Sequence, residues 1–265
     1  MSLSPLLAVR HVDFAYNTGL PIVLRDFSCD LRRGTINAIL GANGAGKTTL
    51  LYLIIGLYKP LQGQILLENR PINQYARSEL SRLISLVPQR EHVPFDYRVY
   101  DYVLLGRTPH LGFLNTPRPS DMQYTWDALR QLGLEKIWGR RVNTLSGGEH
   151  QLVLISRAIA QSSRILLLDE PTSHLDLSNK KRVLNILRRL ADQGITILFT
   201  THDPESASAV ADHLILIRQG QVLKQGALSE TFTAELLSET YGTPLGVKHL
   251  DGQKVVLLNL DEELE

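Results

Sequence analysis

A glycine-rich segment is the part of this chain whose residue types and spacing most directly indicate chemistry. Residues 41–48 read GANGAGKT, which fits the G-x-x-x-x-G-K-[ST] pattern of a phosphate-binding loop. Glycines let such a loop turn tightly, so that its backbone N–H groups can point at phosphate oxygens. Lys47 adds a positive charge for the β- and γ-phosphates, and the Thr48 hydroxyl is a ligand for Mg²⁺. The segment therefore predicts that the chain binds a nucleoside triphosphate with Mg²⁺.

Two acidic residues, Asp169 and Glu170, follow the apolar residues 165–168. A solid apolar run of this kind is typical of a parallel strand that is covered on both faces. We expect this strand to lie beside the strand that precedes the glycine-rich loop, so that Asp169 can reach Mg²⁺ from a second side. Glu170 has no obvious structural purpose there, and its carboxylate could accept a proton from the attacking water or orient that water.

Two further polar side chains stand at similar positions. His202 follows the apolar residues 195–199, where a neutral imidazole could contact the γ-phosphate and its attacking water. Gln89 follows a short apolar run at the start of a mainly helical stretch. A glutamine there could touch Mg²⁺ or water and report the state of the site to the helical stretch.

A second glycine motif, LSGGE at residues 145–149, precedes a helix-like run over residues 150–161. Ser146 and the two following glycines would present a hydroxyl and free N–H groups at a helix N-terminus, which is an anion site. Because the chain already has a loop for its own phosphates, a second anion site indicates another nucleotide. Two chains facing head to tail, each closing over the ATP of the other, would provide it.

The elements that must position these residues can also be predicted. Residues 6–40 alternate apolar runs with turn signals, which indicates antiparallel strands before the strand, loop and helix of residues 36–55. Residues 97–160 are mainly helical, with a Pro/Gly-rich interruption over residues 106–119 and Ser120 as the N-cap of a helix over 121–132. We expect a hairpin over 214–223, a helix over 233–241 and a closing strand over 254–260.

Composition narrows the class of protein. The chain has 265 residues, 43% of them hydrophobic, so it can bury a substantial core. A formal net charge of +1 argues against a protein whose main task is to grip a nucleic-acid backbone. The single Cys29 excludes an internal disulfide. No stretch is apolar enough to cross a bilayer and the N-terminus lacks the pattern of a signal peptide, so we expect a cytoplasmic protein that meets membranes only through a partner.

Together these motifs resemble the nucleotide-binding subunit of an ATP-binding cassette (ABC) transporter over nearly the whole chain. Residues 41–48 resemble Walker A, Gln89 the Q-loop, residues 145–149 the signature and residues 173–176 the D-loop. Asp169 resembles the Walker B aspartate, followed by the catalytic glutamate, and His202 resembles the switch histidine. Tyr16 falls where the family stacks an aromatic ring on adenine, although an ordinary strand aromatic is an alternative interpretation.

The resemblance implies an α/β fold: a P-loop NTPase cassette with a RecA-like parallel-sheet core, an N-terminal antiparallel β subdomain and an inserted α-helical subdomain. It implies one domain over residues 1–265, with the core at about 1–96 and 161–265 and the helical subdomain at about 97–160. It implies that ATP hydrolysis is catalysed by Lys47, Gln89, Glu170 and His202. Mg²⁺ would be held by Thr48, Gln89 and Asp169. ATP would be bound by Tyr16, Gly41, Ala42, Asn43, Gly44, Ala45, Gly46, Lys47, Thr48, Thr49, Ser146, Gly147, Gly148 and Asp176.

The resemblance also implies partners: a second ATPase subunit in a homodimer, transmembrane permease subunits, an indirectly associated periplasmic or surface substrate-binding protein, and no nucleic acid. The location would be the cytoplasmic face of the cell membrane. Residues 106–110 (GRTPH) and His174 are similar to those of importers of iron–siderophore complexes, haem and cobalamin. Alternatives are a zinc/manganese or molybdate importer, an exporter, a soluble ABC ATPase, or a nucleotide-gated module without turnover. His150 departs from the family pattern, which has arginine or glutamine after the signature.

Overall fold

Three β-sheets and the helices packed on them make up the computed structural model, which describes residues 4–17, 19–91, 93–112, 115–250 and 253–258. The strands are β1 (Leu7–Phe14), β2 (Leu24–Leu31), β3 (Ile36–Leu40), β4 (Gln62–Leu67), β5 (Arg70–Pro71), β6 (Ile84–Val87), β7 (Ile165–Asp169), β8 (Thr196–Thr201), β9 (His213–Arg218), β10 (Gln221–Ala227), β11 (Leu245–Leu250) and β12 (Gln253–Leu258). The α-helices are α1 (Lys47–Ile54), α2 (Arg77–Leu83), α3 (Val99–Leu104), α4 (Pro119–Gln131), α5 (Gly147–Ala160), α6 (Leu177–Asp192), α7 (Pro204–Val210), α8 (Leu228–Thr231) and α9 (Ala234–Tyr241). Short 3₁₀ helices span Ile72–Gln74, Leu105–His110, Glu135–Ile137 and Val142–Thr144.

The central sheet has the strand order β10-β9-β3-β8-β7-β6. Its strands are parallel except for β10, which forms the predicted hairpin with β9. The expectation that the strand ending in Asp169 lies beside the strand before the glycine-rich loop is wrong, because β8 lies between them. Leu40 pairs with Thr201, and Asp169 pairs with Thr200. The carboxyl ends of all three strands therefore still meet at one edge of the sheet.

Both faces of this sheet are buried, which explains the solid apolar runs. Along β7, Leu166 and Leu168 face the core formed with α5, α6 and α7. Ile165 and Leu167 face the opposite core, which is shared with α1 and the antiparallel sheet. Successive strand side chains point to opposite faces, so a strand covered on both sides needs apolar residues at every position.

The N-terminal antiparallel sheet, with the order β2-β1-β4-β5, confirms the prediction for the segment before the loop. Gly63 at the start of β4 lies so close to β1 that a Cβ atom would be 2.2 Å from the His11 carbonyl oxygen, and its φ is +77°. Only glycine fits that position. Its buried residues share one hydrophobic core with α1 and the central sheet.

Helices α3, α4 and α5 pack on one another. They belong to the chain segment that connects β6 with β7. The prediction that Ser120 caps α4 is wrong. Pro119 occupies the first turn, where a missing N–H costs nothing, and the Asp121 carboxylate accepts a hydrogen bond of 3.0 Å from the Arg118 backbone N–H. The helix therefore begins two residues earlier than the apolar spacing indicates.

The C-terminal part adds α9 and a separate two-stranded antiparallel sheet, β11 with β12. Helix α9 matches the predicted helix, with Thr233 as its N-cap. The predicted closing strand is β12, and residues 259–260 of that prediction lie outside the described residues. Within the described parts of the chain, none of the helices combines the length and apolar character needed to cross a bilayer.

Candidate nucleotide-binding site

The glycine-rich loop leaves β3 and ends at the first turn of α1. A Cβ atom on Gly41 would lie 2.6 Å from the Ile217 carbonyl oxygen, and one on Gly46 would lie 2.6 Å from a methyl group of Leu24. Gly46 also has a φ of +98°. These two positions must therefore be glycine for the loop to fit between β9 and β2. The tip of the loop, from Ala42 to Gly44, is exposed.

Lys47 lies at the centre of the loop, with its side chain 6% exposed. Its Nζ donates to the carbonyl oxygens of Gly41 (2.9 Å) and Ala42 (3.1 Å) and lies 3.7 Å from Glu170 Oε1. Burial lowers the pKa of Lys47, while the charges of Glu170 and Asp169 act in the opposite direction. A cation in this position can turn toward phosphate oxygens over the loop without crossing open solvent.

Asp169 joins the loop to the central sheet. Its Oδ2 accepts from the Thr48 hydroxyl at 2.7 Å, and its Oδ1 accepts from the Thr200 hydroxyl at 2.6 Å. Thr200 lies on β8, the strand between the loop strand and the Asp169 strand, so the intervening strand supplies the bridge. The Thr200 hydroxyl in turn accepts from the Glu170 backbone N–H at 2.9 Å.

This pair of oxygens fits a Mg²⁺ ion. A hydroxyl and a carboxylate converge at 2.7 Å, and Mg²⁺ in nucleotide sites is held by one or two such oxygens plus phosphates and water, not by a complete protein cage. In the described residues, no group of three or more His, Cys, Asp or Glu side chains could hold a metal by itself.

Glu170 is the meeting point of the residues predicted to be catalytic. Its Oε2 accepts from Gln89 Nε2 at 3.0 Å and lies 3.1 Å from His202 Nδ1. Its side chain is 10% exposed, and its φ is +46°. A left-handed conformation is uncommon for a residue other than glycine and is often found at functional sites. The structure thus brings Lys47, Gln89, Glu170 and His202 together.

Tyr16 lies beside the start of α1. Its hydroxyl is 2.7 Å from Thr49 Oγ1, and its ring packs edge-on against Phe14 and Tyr58, with centroid distances of 5.2 and 5.6 Å. The residue is half exposed. An anchored and accessible aromatic ring next to a phosphate-binding loop can stack on a nucleobase.

The LSGGE segment forms the N-terminus of α5, but its serine is not free. The Ser146 hydroxyl donates to Glu149 Oε2 at 3.1 Å and accepts from the Glu149 backbone N–H at 3.3 Å, while the Ser146 N–H donates to the same carboxylate at 3.0 Å. Arg140 donates to the other oxygen of Glu149 at 2.9 Å. An anion at this helix end would have to share or replace these capping contacts.

Asp176 lies close to this segment through a residue that the sequence did not single out. Asn179 donates its backbone N–H (2.8 Å) and its side-chain amide (2.9 Å) to Asp176, which caps α6. A Cβ atom on Gly148 would lie 2.5 Å from the Asn179 amide nitrogen. Ser146, Gly147, Gly148 and Asp176 thus form a second group, and no hydrogen bond formed by the described residues joins it to the group around Glu170.

A second residue missed from the sequence is Glu91. It accepts two hydrogen bonds from the Arg157 guanidinium of α5, at 2.5 and 2.7 Å, and one from the Tyr102 hydroxyl of α3 at 2.7 Å. Burial lowers the pKa of the neighbouring His150. Glu91 follows Gln89 by two residues, so the strand-end segment that contacts Glu170 is also fastened to the helix that carries Ser146. The only sequence signal was an acidic residue near Gln89.

Residues 106–110 are not the open loop that the glycine and proline predicted. Leu105–His110 form a 3₁₀ helix on the end of α5. A Cβ atom on Gly106 would lie 2.2 Å from the Arg157 carbonyl oxygen. The buried Arg107 donates to Asp121 (2.9 Å) and to the Ala160 carbonyl (2.7 Å). The segment fastens the end of α5 to α4.

Comparison with known proteins is consistent with this geometry. The molybdate import ATP-binding protein MolC of Haemophilus influenzae is 38% identical over 244 residues, which are 92% of this chain and 90% of the relative. The hemin import ATP-binding protein HmuV of Thermobifida fusca is 36% identical over 236 residues, 89% of this chain and 82% of the relative.

Solved structures give the same result. A metal-chelate type ABC transporter in an inward-facing conformation has a TM-score of 0.82 and 36% identity, and the match covers 95% of both chains. A dimeric structure of a bacterial ABC transporter cassette has a TM-score of 0.73 and 27% identity over 84% of this chain and 98% of the other. The profile described as "ABC transporter" matches residues 24–173. The chain therefore belongs to the ABC transporter family, as an ATP-binding cassette with the fold of that family's ATPases.

Proposed function

We propose that this chain is the ATP-hydrolysing subunit of a membrane importer for a metal-chelate type cargo. The observation that carries hydrolysis is the arrangement around Glu170. One of its carboxylate oxygens contacts both Gln89 and His202, and the other lies 3.7 Å from Lys47 Nζ. A module that only binds nucleotide has no need for a carboxylate held by two such partners beside the phosphate-binding loop.

Each residue then has a role that follows from its position. Lys47 and the backbone N–H groups of residues 41–46 bind the β- and γ-phosphates. Glu170 takes a proton from the attacking water or orients that water. His202 contacts the Glu170 carboxylate and would also contact the γ-phosphate. Gln89 reaches the same carboxylate from the segment that Glu91 fastens to α5. Tyr16 stacks on the adenine ring.

Mg²⁺ would be held by Thr48 and Asp169. Gln89, whose amide contacts the carboxylate of the adjacent residue Glu170, would be a further ligand. When bound, Mg²⁺ would neutralise charge on the phosphate oxygens. Thr200 keeps the Asp169 carboxylate oriented toward Thr48 through its own hydrogen bond of 2.6 Å. The protein thus supplies two oxygen ligands, one from the Thr48 hydroxyl and one from the Asp169 carboxylate, which are already oriented for the metal.

We further propose that two copies of the chain form a homodimer in which Ser146, Gly147 and Gly148, with Asp176 nearby, face the nucleotide of the partner subunit. Among the described residues no hydrogen bond joins this group to the Glu170 group of the same chain, which supports that arrangement, as does the likeness to a cassette solved as a dimer. Residues of about 97–160 would act as a helical subdomain that receives a permease, and about 1–96 and 161–265 would form the catalytic core of a single domain.

The relatives of this chain indicate the class of cargo. The hemin import protein and the metal-chelate type transporter support an iron–siderophore, haem or cobalamin cargo. The molybdate import protein is as similar, so a molybdate or other metal importer is the second candidate. In either case the chain would sit on the cytoplasmic face of the membrane through its permease, with a binding protein outside. Neither reading involves nucleic acid.

Glu170→Gln tests the hydrolytic role. We expect kcat for phosphate release to fall by about 10²–10⁴-fold, the usual contribution of a general base, while the Kd for ATP stays unchanged and ATP shifts the variant toward the dimer in size-exclusion chromatography. Glu79→Gln, an exposed carboxylate on α2, is the matched control. Wild-type turnover in Glu170→Gln would contradict the assigned role.

The transport proposal is tested by isolating the protein from its native membranes in mild detergent and identifying bound proteins by mass spectrometry. A permease with many membrane-spanning helices is the expected partner, and its companion binding protein would lead to the cargo. Ribosomal or DNA-repair partners without a permease would leave the ATPase intact and overturn the transport proposal.

A further inference from the structure

His202 is held by a residue from the C-terminal part of the chain, and both residues lie outside residues 24–173, the segment that matches the family profile. The Tyr241 hydroxyl, at the end of α9, donates to the His202 backbone carbonyl at 2.9 Å. We propose that Tyr241 is a positioning residue for ATP hydrolysis, which sets the orientation of His202 toward Glu170. This inference rests on the proposed roles of His202 and Glu170.

The His202 side chain needs such support because it is not fixed by burial. It is 50% exposed, and its contact with the Glu170 carboxylate is a single approach of 3.1 Å. The carbonyl carbon of His202 is bonded to the Cα atom that carries the imidazole side chain, and the ψ torsion rotates between them. A hydrogen bond to that carbonyl therefore restrains the backbone of His202, and with it the direction in which the Cα–Cβ bond starts the side chain toward Glu170.

Two residues close to His202 in the chain, one before it and one after it, are held from other directions. Asp203 caps α7 by accepting from the Glu205 N–H at 2.9 Å, and its side chain also contacts Lys180 of α6. Thr200 is bonded to Asp169 on the sheet side. Tyr241 supplies the restraint from the remaining side, so the loop between β8 and α7 is fixed from the sheet, from α6 and from α9.

Helix α9 is itself well anchored, so it can act as a support. Thr233 caps its N-terminus, and Gly242 ends it with a φ of +70°. The Leu245 N–H donates to Ser238 Oγ at 2.8 Å, which ties α9 to β11. On the other side, Ser208 of α7 donates to the Lys254 carbonyl of β12 at 3.3 Å. The two-stranded sheet thus links α9 to the helix that follows His202.

The phenol stays a donor at neutral pH. Burial, followed by the charges of Asp203 and Glu170, raises the pKa of Tyr241 well above its ordinary value. Because its proton is kept, the only change introduced by Tyr241→Phe is the loss of one hydroxyl. That makes the phenylalanine variant a clean probe of the hydrogen bond.

The experiment compares Tyr241→Phe with Tyr75→Phe in steady-state ATPase assays and thermal unfolding. Tyr75 also donates its hydroxyl to a backbone carbonyl, that of Leu67, at 2.8 Å in the antiparallel sheet. We expect kcat to fall roughly two- to tenfold in Tyr241→Phe, the rate equivalent of one hydrogen bond, with KM for ATP unchanged. Tyr75→Phe should keep the wild-type kcat while losing a similar amount of Tm.

The two variants are repeated in a His202→Ala background, since a residue that acts through His202 has no further effect once the imidazole is gone. A Tyr241→Phe kcat equal to that of Tyr75→Phe would overturn the inference, as would the same fold-decrease persisting in His202→Ala. If His202→Ala keeps wild-type turnover, the proposed role of His202 fails instead. In that case the NMR resonance of the His202 ring, which is assigned by its loss in His202→Ala, tests the positioning role. This resonance should shift in Tyr241→Phe and stay unchanged in Tyr75→Phe. An unshifted resonance in Tyr241→Phe would refute the positioning role.

Discussion

The contact between Glu91 and Arg157 predicts a measurable coupling between the Gln89 segment and α5. The two side chains are 23% and 21% exposed and share two hydrogen bonds, of 2.5 and 2.7 Å. Glu91→Gln keeps the shape and one acceptor oxygen, so Tyr102 can still find a partner, but it removes the charge and the second acceptor. Arg157 is left with an incompletely paired guanidinium.

The magnitude follows from the burial. Breaking a fully buried ion pair by removing one partner costs about 3–5 kcal/mol, and a hydrogen bond to a charged group contributes about 1.5–3 kcal/mol. Because both side chains here keep about one fifth of their exposure, we expect Glu91→Gln to destabilise by about 1.5–3 kcal/mol. The coupling energy from a double-mutant cycle with Arg157→Gln should be about 1–3 kcal/mol.

The assay can be directed at the helices concerned. Trp126 of α4 and Trp138 are the two tryptophans of the chain, and their rings lie 5.8 Å apart beside Tyr100. Their fluorescence during urea unfolding therefore reports the helical segment, while circular dichroism reports the whole chain. Separate transitions for the two signals would mean that the helical segment unfolds by itself, and the cycle would then be evaluated on the fluorescence transition alone.

The Arg70–Glu79 pair is the matched control, since it joins the same two side-chain types at 3.2 Å but with 43% and 46% exposure. Its coupling energy in the cycle of Arg70→Gln and Glu79→Gln should be about 0.2–1 kcal/mol, as for other exposed pairs. A Glu91–Arg157 coupling no larger than that of the control would refute the reasoning, because the contact would then be a solvated surface pair without mechanical significance.

Two further predictions concern the fastening of α5. Gly106→Ala would place a Cβ atom 2.2 Å from a backbone oxygen, so we expect urea unfolding to show that the folded protein loses about 1–3 kcal/mol of stability. Gly139→Ala, which has open space around the added atom, is the control and should leave stability unchanged. Equal effects of the two substitutions would contradict the packing argument. The pKa of Asp121 is lowered chiefly by the Arg118 backbone N–H and also by the Arg107 guanidinium. A folded-state pKa that is lowered gives stability that is present above the unfolded pKa of about 3.9 and is lost as pH falls through the folded pKa. Tm measured from pH 6 to pH 3 should therefore fall less steeply in Asp121→Asn than in the wild type. Parallel curves for the two proteins would exclude this carboxyl group as a source of acid lability.

The sequence was sufficient for residues whose chemistry lies in a contiguous motif. The glycine-rich loop, Asp169 with Glu170, and the LSGGE segment each carry their residue types side by side, so their local backbone could be predicted. The order of the strands could not. The runs at 36–40, 165–169 and 195–199 each have four apolar residues out of five, and nothing in their composition indicates that β8 separates the other two strands.

Contacts between charged residues that are far apart in the sequence could not be predicted either. Glu91 and Arg157 are 66 positions apart, and both are residue types that usually lie on the protein surface. The burial that makes their contact significant comes from the packing of α3 on α5, which local patterns do not specify. Residues 106–110 differ from the predicted open loop for a related reason: Gly106, a residue type that usually signals a loop, here permits a close approach to α5.

Both groups of proposed nucleotide contacts are already hydrogen-bonded within their own chain. Lys47 donates to two carbonyl oxygens of its own loop, and Ser146 shares its hydroxyl and N–H with Glu149. A phosphate that engages these groups exchanges one partner for another, so part of each new contact, worth about 1.5–3 kcal/mol where a charged group takes part, is offset by the bond that is lost. Occupying the loop of a single chain also makes the same contacts in the open and in the closed state, so by itself it provides no free energy for closure. The proposed dimer obtains more, because the same γ-phosphate would then meet Lys47 of one subunit and the helix end of the other, and only the closed state makes both contacts at once. On this argument, preference for the closed state comes from the signature contacts, so Ser146→Ala should weaken ATP-dependent dimerisation more than it weakens ATP binding to the monomer; an equal loss in both would locate Ser146 in the site of its own chain.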